Sequence, residues 1–138
     1  MMQSTSPVAG GGFQATGDRP WQAVLDAQAL ASLEQLDPTG ANKLVSRVLT
    51  TYRSSLARLL SQLSTARAQS DHGGMKLVAH TLKSSSASVG ALALSALCSS
   101  AEQAARDGRH DALPDLLDQL ETEAVRVDAA VQKLLSEK

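Results

Sequence analysis

One histidine, His80, stands in the stretch Ala79-His80-Thr81-Leu82-Lys83-Ser84-Ser85-Ser86-Ala87-Ser88-Val89-Gly90-Ala91, among small residues and close to two lysines. On a helix advancing ~100° per residue, Lys76, Lys83, Ser84 and Ala87 share the face of His80, while Val78, Leu82, Ser85 and Val89 point the opposite way. The imidazole is therefore expected to look outward. A histidine titrates at about 6.5, so near the pH of a cell it offers a neutral ring nitrogen whose lone pair can attack an acyl phosphate. The phosphoryl group it would carry brings close to two negative charges, which favours nearby ammonium groups over a buried pocket. Lys76 and Lys83 stand four residues before and three after His80.

The residues His80, Leu82, Lys83, Ser85, Ser86, Val89 and Gly90 closely resemble the signature of histidine phosphotransfer (HPt) domains, the phosphocarrier modules of two-component phosphorelays. That pattern runs His-x-Leu-Lys-Gly-Ser-Ser/Ala, then an apolar residue and Gly. Ser84 departs from it, since the family has Gly there. The resemblance extends more loosely from about Leu25 to Leu135, taking in Leu36-Asp37-Pro38-x-Gly40, Leu97-Cys98 and Glu102. It implies His80 as phosphoacceptor and Lys83 as the family lysine beside it. It also implies that Glu102 occupies a position where Glu or Gln often faces the histidine ring. A carboxylate accepting the Nδ1 proton would fix the tautomer and leave Nε2 as nucleophile; an ordinary exposed glutamate is the competing reading.

Around His80 the small residues leave room for a partner at Ser84 and Ala87, and Ser85 is expected to project inward between Val78, Leu82 and Val89. Leu77, about 60° round the helix from His80, belongs either to a docking patch or to the half-buried flank of a bundle. Lys76 is either a second cation for the phosphoryl group or a solvated charge. Ser84 either adds bulk where the family has none or offers its hydroxyl to the phosphoryl group.

The elements that must hold these residues are helical throughout. From Asn42, the residues Val45, Leu49, Tyr52, Leu56, Leu59, Leu63 and Ala66 follow a four-three spacing, one stripe of a long helix. Ser70 or Asp71 can cap the next helix, which opens on a costly Gly73-Gly74 pair, carries His80 and ends or kinks at Gly90. Leu94, Leu97, Ala101 and Ala104 form a third stripe that stops at Gly108. Leu113, Leu117, Leu120, Ala124, Val127, Val131 and Leu134 form a fourth, with Pro114 tolerated in its first turn. Asp26 can cap a short helix carrying Leu30, Leu33 and Leu36 before a turn at Asp37-Pro38-Thr39-Gly40, and Pro20 allows an amphipathic lead-in through Trp21, Val24 and Leu25. The expected fold is all-α: an antiparallel up-and-down four-helix bundle with a short N-terminal helical extension. Residues 1–17, rich in Ser and Gly, read as a flexible tail or linker, and residues 18–138 as the bundle domain.

Composition narrows the function further. The 138 residues suit one domain, and with one Phe, one Tyr and one Trp the core must be built from Leu, Val and Ala. Thirteen basic and fourteen acidic residues, interspersed to a net charge of −1, offer no field for nucleic acid or an anionic membrane. No apolar run reaches the ~18 residues a membrane span needs, and no secretory leader pattern opens the chain, so a cytoplasmic location is expected. The single Cys98 reads as a small buried apolar side chain. His72 and His110 read as loop or cap residues, and no metal site is expected.

The sequence shows no nucleotide loop and no carboxylate pair for magnesium, so no cofactor is expected and the chain is read as a relay without kinase activity. The resemblance places Mg²⁺ and the phosphorylated aspartate on a partner receiver domain, belonging to a response regulator or a hybrid sensor kinase. The leading expectation is a monomeric phosphorelay intermediate that takes a phosphoryl group on His80 from one receiver and passes it to another. The alternative is a helical adaptor that docks a receiver or another regulator without transfer.

Overall fold

The computed structural model describes residues 24–137, which carry five helices. They are α1 (Ala27–Gln35), α2 (Leu44–Ala68), α3 (His72–Ser88), α4 (Leu92–Arg106) and α5 (Leu113–Ser136). The expected tail at residues 1–17 and Trp21 of the lead-in lie outside the described residues. Val24 and Leu25 form no helix; Leu25 instead turns into the core and is buried, so among the described residues the helix preceding the bundle is α1.

α1 and α3 start where the capping side chain satisfies one of the helix's free N–H groups. The Asp26 carboxylate accepts from Ala29 N–H at 3.1 Å, and Asp71 does the same for Gly74 at 3.0 Å. At the head of α2 the capping position is Lys43, which has a left-handed backbone and no side-chain cap. Asp37 reaches across the turn instead, accepting from the N–H groups of Asn42 and Leu44, each at 3.1 Å. Its burial follows from that task. Leu36, expected on the inner stripe of α1, is 73% exposed because α1 ends before it and the chain turns there.

The α2 and α5 stripes are buried residue for residue as their spacing requires. On α4 the inward positions are Leu94, Cys98, Ala101 and Ala104, with Leu97 at the margin. α2 packs on α3, α3 on α4, α4 on α5 and α5 back on α2. With short connections between consecutive members, this closed ring is the up-and-down four-helix bundle. α1 lies against α2 and is tied to the α3–α4 turn by the Asp26 N–H, which donates to Gly90 O at 2.8 Å. Gly74, costly in a helix by propensity alone, has a packing reason: a Cβ there would stand 3.2 Å from the Ala66 Cβ of α2.

The inward serine of α3 is Ser86, fully buried, and not Ser85. The buried arc of α3 runs through Met75, Val78, Ala79, Leu82 and Ser86, so its centre is turned from the point opposite His80 toward the Ser86 side. Ser85 falls at the margin and bonds back to Thr81 O and Leu82 O. Ser86 shares a 2.8 Å hydrogen bond with the Tyr52 hydroxyl of α2, and burial pushes that phenol up to about 12. Ser86→Ala should strand the Tyr52 hydroxyl in the core at a cost of about 1–2 kcal/mol. Urea unfolding reads this, and adding Tyr52→Phe should recover part of the loss. An unchanged midpoint for Ser86→Ala would show that the pair contributes nothing to joining α2 and α3.

Candidate phosphoacceptor site

His80 sits in the middle of α3 with its side chain 61% exposed. Its Nδ1 lies 2.8 Å from Glu102 Oε2, and Lys83 Nζ donates to the other carboxylate oxygen, Oε1, at 2.7 Å. Helical side chains lean toward the N-terminus of their own helix. Lys83 on α3 therefore reaches back toward the level of His80, while Glu102, on the antiparallel α4, leans the opposite way to meet both. A further bond, Ser95 Oγ to Lys83 O at 2.8 Å, fixes the register of α4 against α3 at this level.

Glu102 is only 12% exposed at its side chain. The Lys83 hydrogen bond, helped less strongly by His80, outweighs the desolvation and holds its carboxyl below the usual 4.5. The carboxylate is thus ionised at neutral pH and can only accept from the ring, so Nδ1 carries the proton between them and, in the uncharged tautomer, Nε2 holds the lone pair. The reading of Glu102 as an ordinary exposed glutamate does not hold. Because its folded-state pKa is depressed, its stabilising contribution is complete above 4.5 and is lost as pH falls through the lower folded value. Glu102→Gln should flatten that acid-side loss in urea unfolding series run from neutral pH to below 4.5. A wild-type acid limb retained in the variant would mean that Glu102 is not held by Lys83.

The other expected residues lie on the open face of α3. Lys76, Ser84 and Ala87 are exposed, and Leu77 is 65% exposed, so its half-buried alternative does not hold. Glu102 is brought to His80, and Lys83 to the other oxygen of Glu102, whereas Lys76, Leu77, Ser84 and Ala87 make no hydrogen bond to this group among the described residues. Cys98, one turn before Glu102, is fully buried; desolvation pushes its thiol up to about 12, which removes it from nucleophilic chemistry at neutral pH. His72 begins α3 and His110 lies in the α4–α5 connection, as loop or cap residues do. Their rings also stack at 3.8 Å, a contact that nothing in their separate sequence surroundings signals. Among the described residues no group of three or more His, Cys, Asp or Glu side chains is arranged to hold a metal ion. No helix there is long and apolar enough to cross a membrane.

Comparison with known proteins bears on this arrangement. The histidine-containing phosphotransfer protein B of Pseudomonas aeruginosa PAO1 superposes with a TM-score of 0.75 at 26% identity, covering 83% of this chain and 96% of that one. A rice protein described as a histidine-containing phosphotransfer protein superposes with a TM-score of 0.71 at 24% identity, over 83% of this chain and 81% of its own, which supports the fold alone. No curated protein matches the chain. The Hpt domain family model matches residues 47–132, a span that takes in most of α2 and α5, the whole of α3 and α4, and the His80–Lys83–Glu102 cluster. With more than half of its length matched, the chain belongs to the Hpt domain family.

Proposed function

We propose that His80 accepts a phosphoryl group from the phosphorylated aspartate of one receiver domain and passes it to the aspartate of another. The observation that carries this reading is the exposed imidazole whose Nδ1 lies 2.8 Å from an ionised carboxylate. With Nδ1–H held by Glu102, the Nε2 lone pair attacks the phosphorus of the aspartyl phosphate. The N–P bond forms as the O–P bond breaks, and the electron pair leaves on the aspartate carboxylate. The ring becomes a phosphorylated imidazolium, whose remaining Nδ1 proton faces Glu102, and the carboxylate stabilises that positive charge. Onward transfer reverses these steps on a second receiver. Mg²⁺ is supplied by the receiver, and the reaction is set in the cytoplasm.

In this reading the phosphoryl group arrives from the partner's aspartyl phosphate and not from ATP. Mixing the protein with a receiver already carrying labelled aspartyl phosphate tests this. The label should leave the receiver and appear on this chain as acid-labile, base-stable phosphate. Binding of the receiver without any movement of label would support a docking adaptor instead.

A further inference from the structure

Lys83 is not free to meet a phosphoryl group. Its ammonium is spent on Glu102 Oε1 at 2.7 Å, with a third of its side chain exposed. Drawing it away would leave a mostly buried carboxylate without its strongest partner at the moment a second anion arrives beside it. Like charges at such spacing oppose one another, so phosphorylation increases the need for Lys83 where it is. A different cation must face the outer side of the ring.

Lys76 meets that requirement. It is exposed, stands one turn before His80 on the same face and, unlike Lys83, takes part in no side-chain ion pair or hydrogen bond among the described residues. The N-terminal lean of helical side chains carries the His80 ring over the turn formed by Lys76 and Leu77, and away from Ser84, one turn behind. A phosphoryl group on Nε2 would emerge above that turn, within the sweep of the long Lys76 side chain. The exposed Leu77 alongside, at 65% exposure, displaces part of the water that would otherwise screen the pair.

Resting on the reading of His80 as phosphoacceptor, we infer that Lys76 is the cation that holds the phosphoryl group on Nε2, while Lys83 serves as a positioning residue that orders Glu102. Lys76 is a catalytic residue in this scheme because it touches the transferred group.

Phosphoramidate, a small phosphoryl donor that needs no receiver, separates the possibilities. Its protonated form gives the phosphoryl group to Nε2 as the P–N bond breaks and ammonia leaves with the electron pair. Lys76→Gln should slow labelling and shorten the lifetime of the phosphohistidine by about fivefold, and Lys76→Arg should restore most of both. Because Lys76 is exposed, its contribution is screened by salt, so the Lys76→Gln rate should vary less with ionic strength than the wild-type rate. Lys83→Gln should retain the wild-type salt dependence. All the variants should unfold with the wild-type midpoint except Lys83→Gln, which loses a partly buried ion pair.

Equal labelling and lifetime in Lys76→Gln and wild type would overturn the inference while leaving His80 as acceptor. Slowing seen with a charged receiver but absent with phosphoramidate would also overturn it, making Lys76 a docking residue. Undiminished labelling of His80→Gln by phosphoramidate would instead remove the acceptor reading on which the inference stands.

Discussion

His80→Gln should take up no phosphoryl group from a charged receiver and should unfold at the wild-type temperature. The imidazole is 61% exposed and sits opposite the buried arc of α3, so its removal opens no cavity. Surface replacements of that kind usually shift stability by no more than ~0.5 kcal/mol. Glutamine can still donate to Glu102, which keeps the carboxylate partnered beside Lys83. What disappears is the nucleophilic nitrogen, for which no neighbour can substitute: Cys98 is buried and its thiol is pushed up to about 12. Label transfer and a thermal melt on the same preparation separate the two outcomes. Label persisting on the variant would move the chemistry to another residue, and a collapsed melt would mean that His80 is structural.

Gly90→Ala should be among the most damaging single changes for stability. Gly90 has φ +85°, in the left-handed region that costs other residues about 1–2 kcal/mol. Its Cβ would come 2.8 Å from Asp26 N and 2.9 Å from Asp26 O. Those are backbone atoms, and Asp26 N–H is itself bonded to Gly90 O at 2.8 Å, so neither side can move aside without breaking the contact that seats α1. The turn also closes α3, with Gly90 N–H bonded to Ala87 O and Ala91 N–H to Ser86 O, the Schellman arrangement that depends on a left-handed residue at this point. Strain and overlap together should cost about 3 kcal/mol, enough to lower the melting temperature by roughly 10 °C. A change of only a degree or two would show that the α1 seat is not part of the cooperative fold.

Sequence patterning made the bundle legible wherever a four-three stripe ran uninterrupted. Val45 to Ala66 and Leu113 to Leu134 are buried as their spacing demands, because a helix that long has only one way to hide its apolar face. The outward aspect of His80 followed from the same periodicity. Ser85 and Ser86 differ by only ~100° on the helix, and both are small and polar, so nothing local told which turns inward. The choice is made by Tyr52, thirty-four positions away, whose hydroxyl needs a buried partner.

The site was legible to different depths. Lys83 and Glu102 each stood out through the family pattern, but their ion pair depends on the axial register of α3 against α4, which Ser95 helps to set and which no spacing within one helix reveals. Asp37 read as part of a turn because its sequence context is a turn. Its capping of α2 over seven residues arises only because Lys43 offers no cap of its own.

The central claim is that phosphate resides on one particular nitrogen, and the most direct test is to find that nitrogen. Protein labelled with ¹⁵N in its histidine rings, charged by a phosphorylated receiver and held at alkaline pH, can be read by NMR through phosphorus–nitrogen coupling and ring nitrogen shifts. The account predicts phosphorus on Nε2 of His80, with Nδ1 carrying the proton that Glu102 holds at 2.8 Å. Phosphorus on Nδ1, on His72 or His110, or on no histidine at all would contradict it.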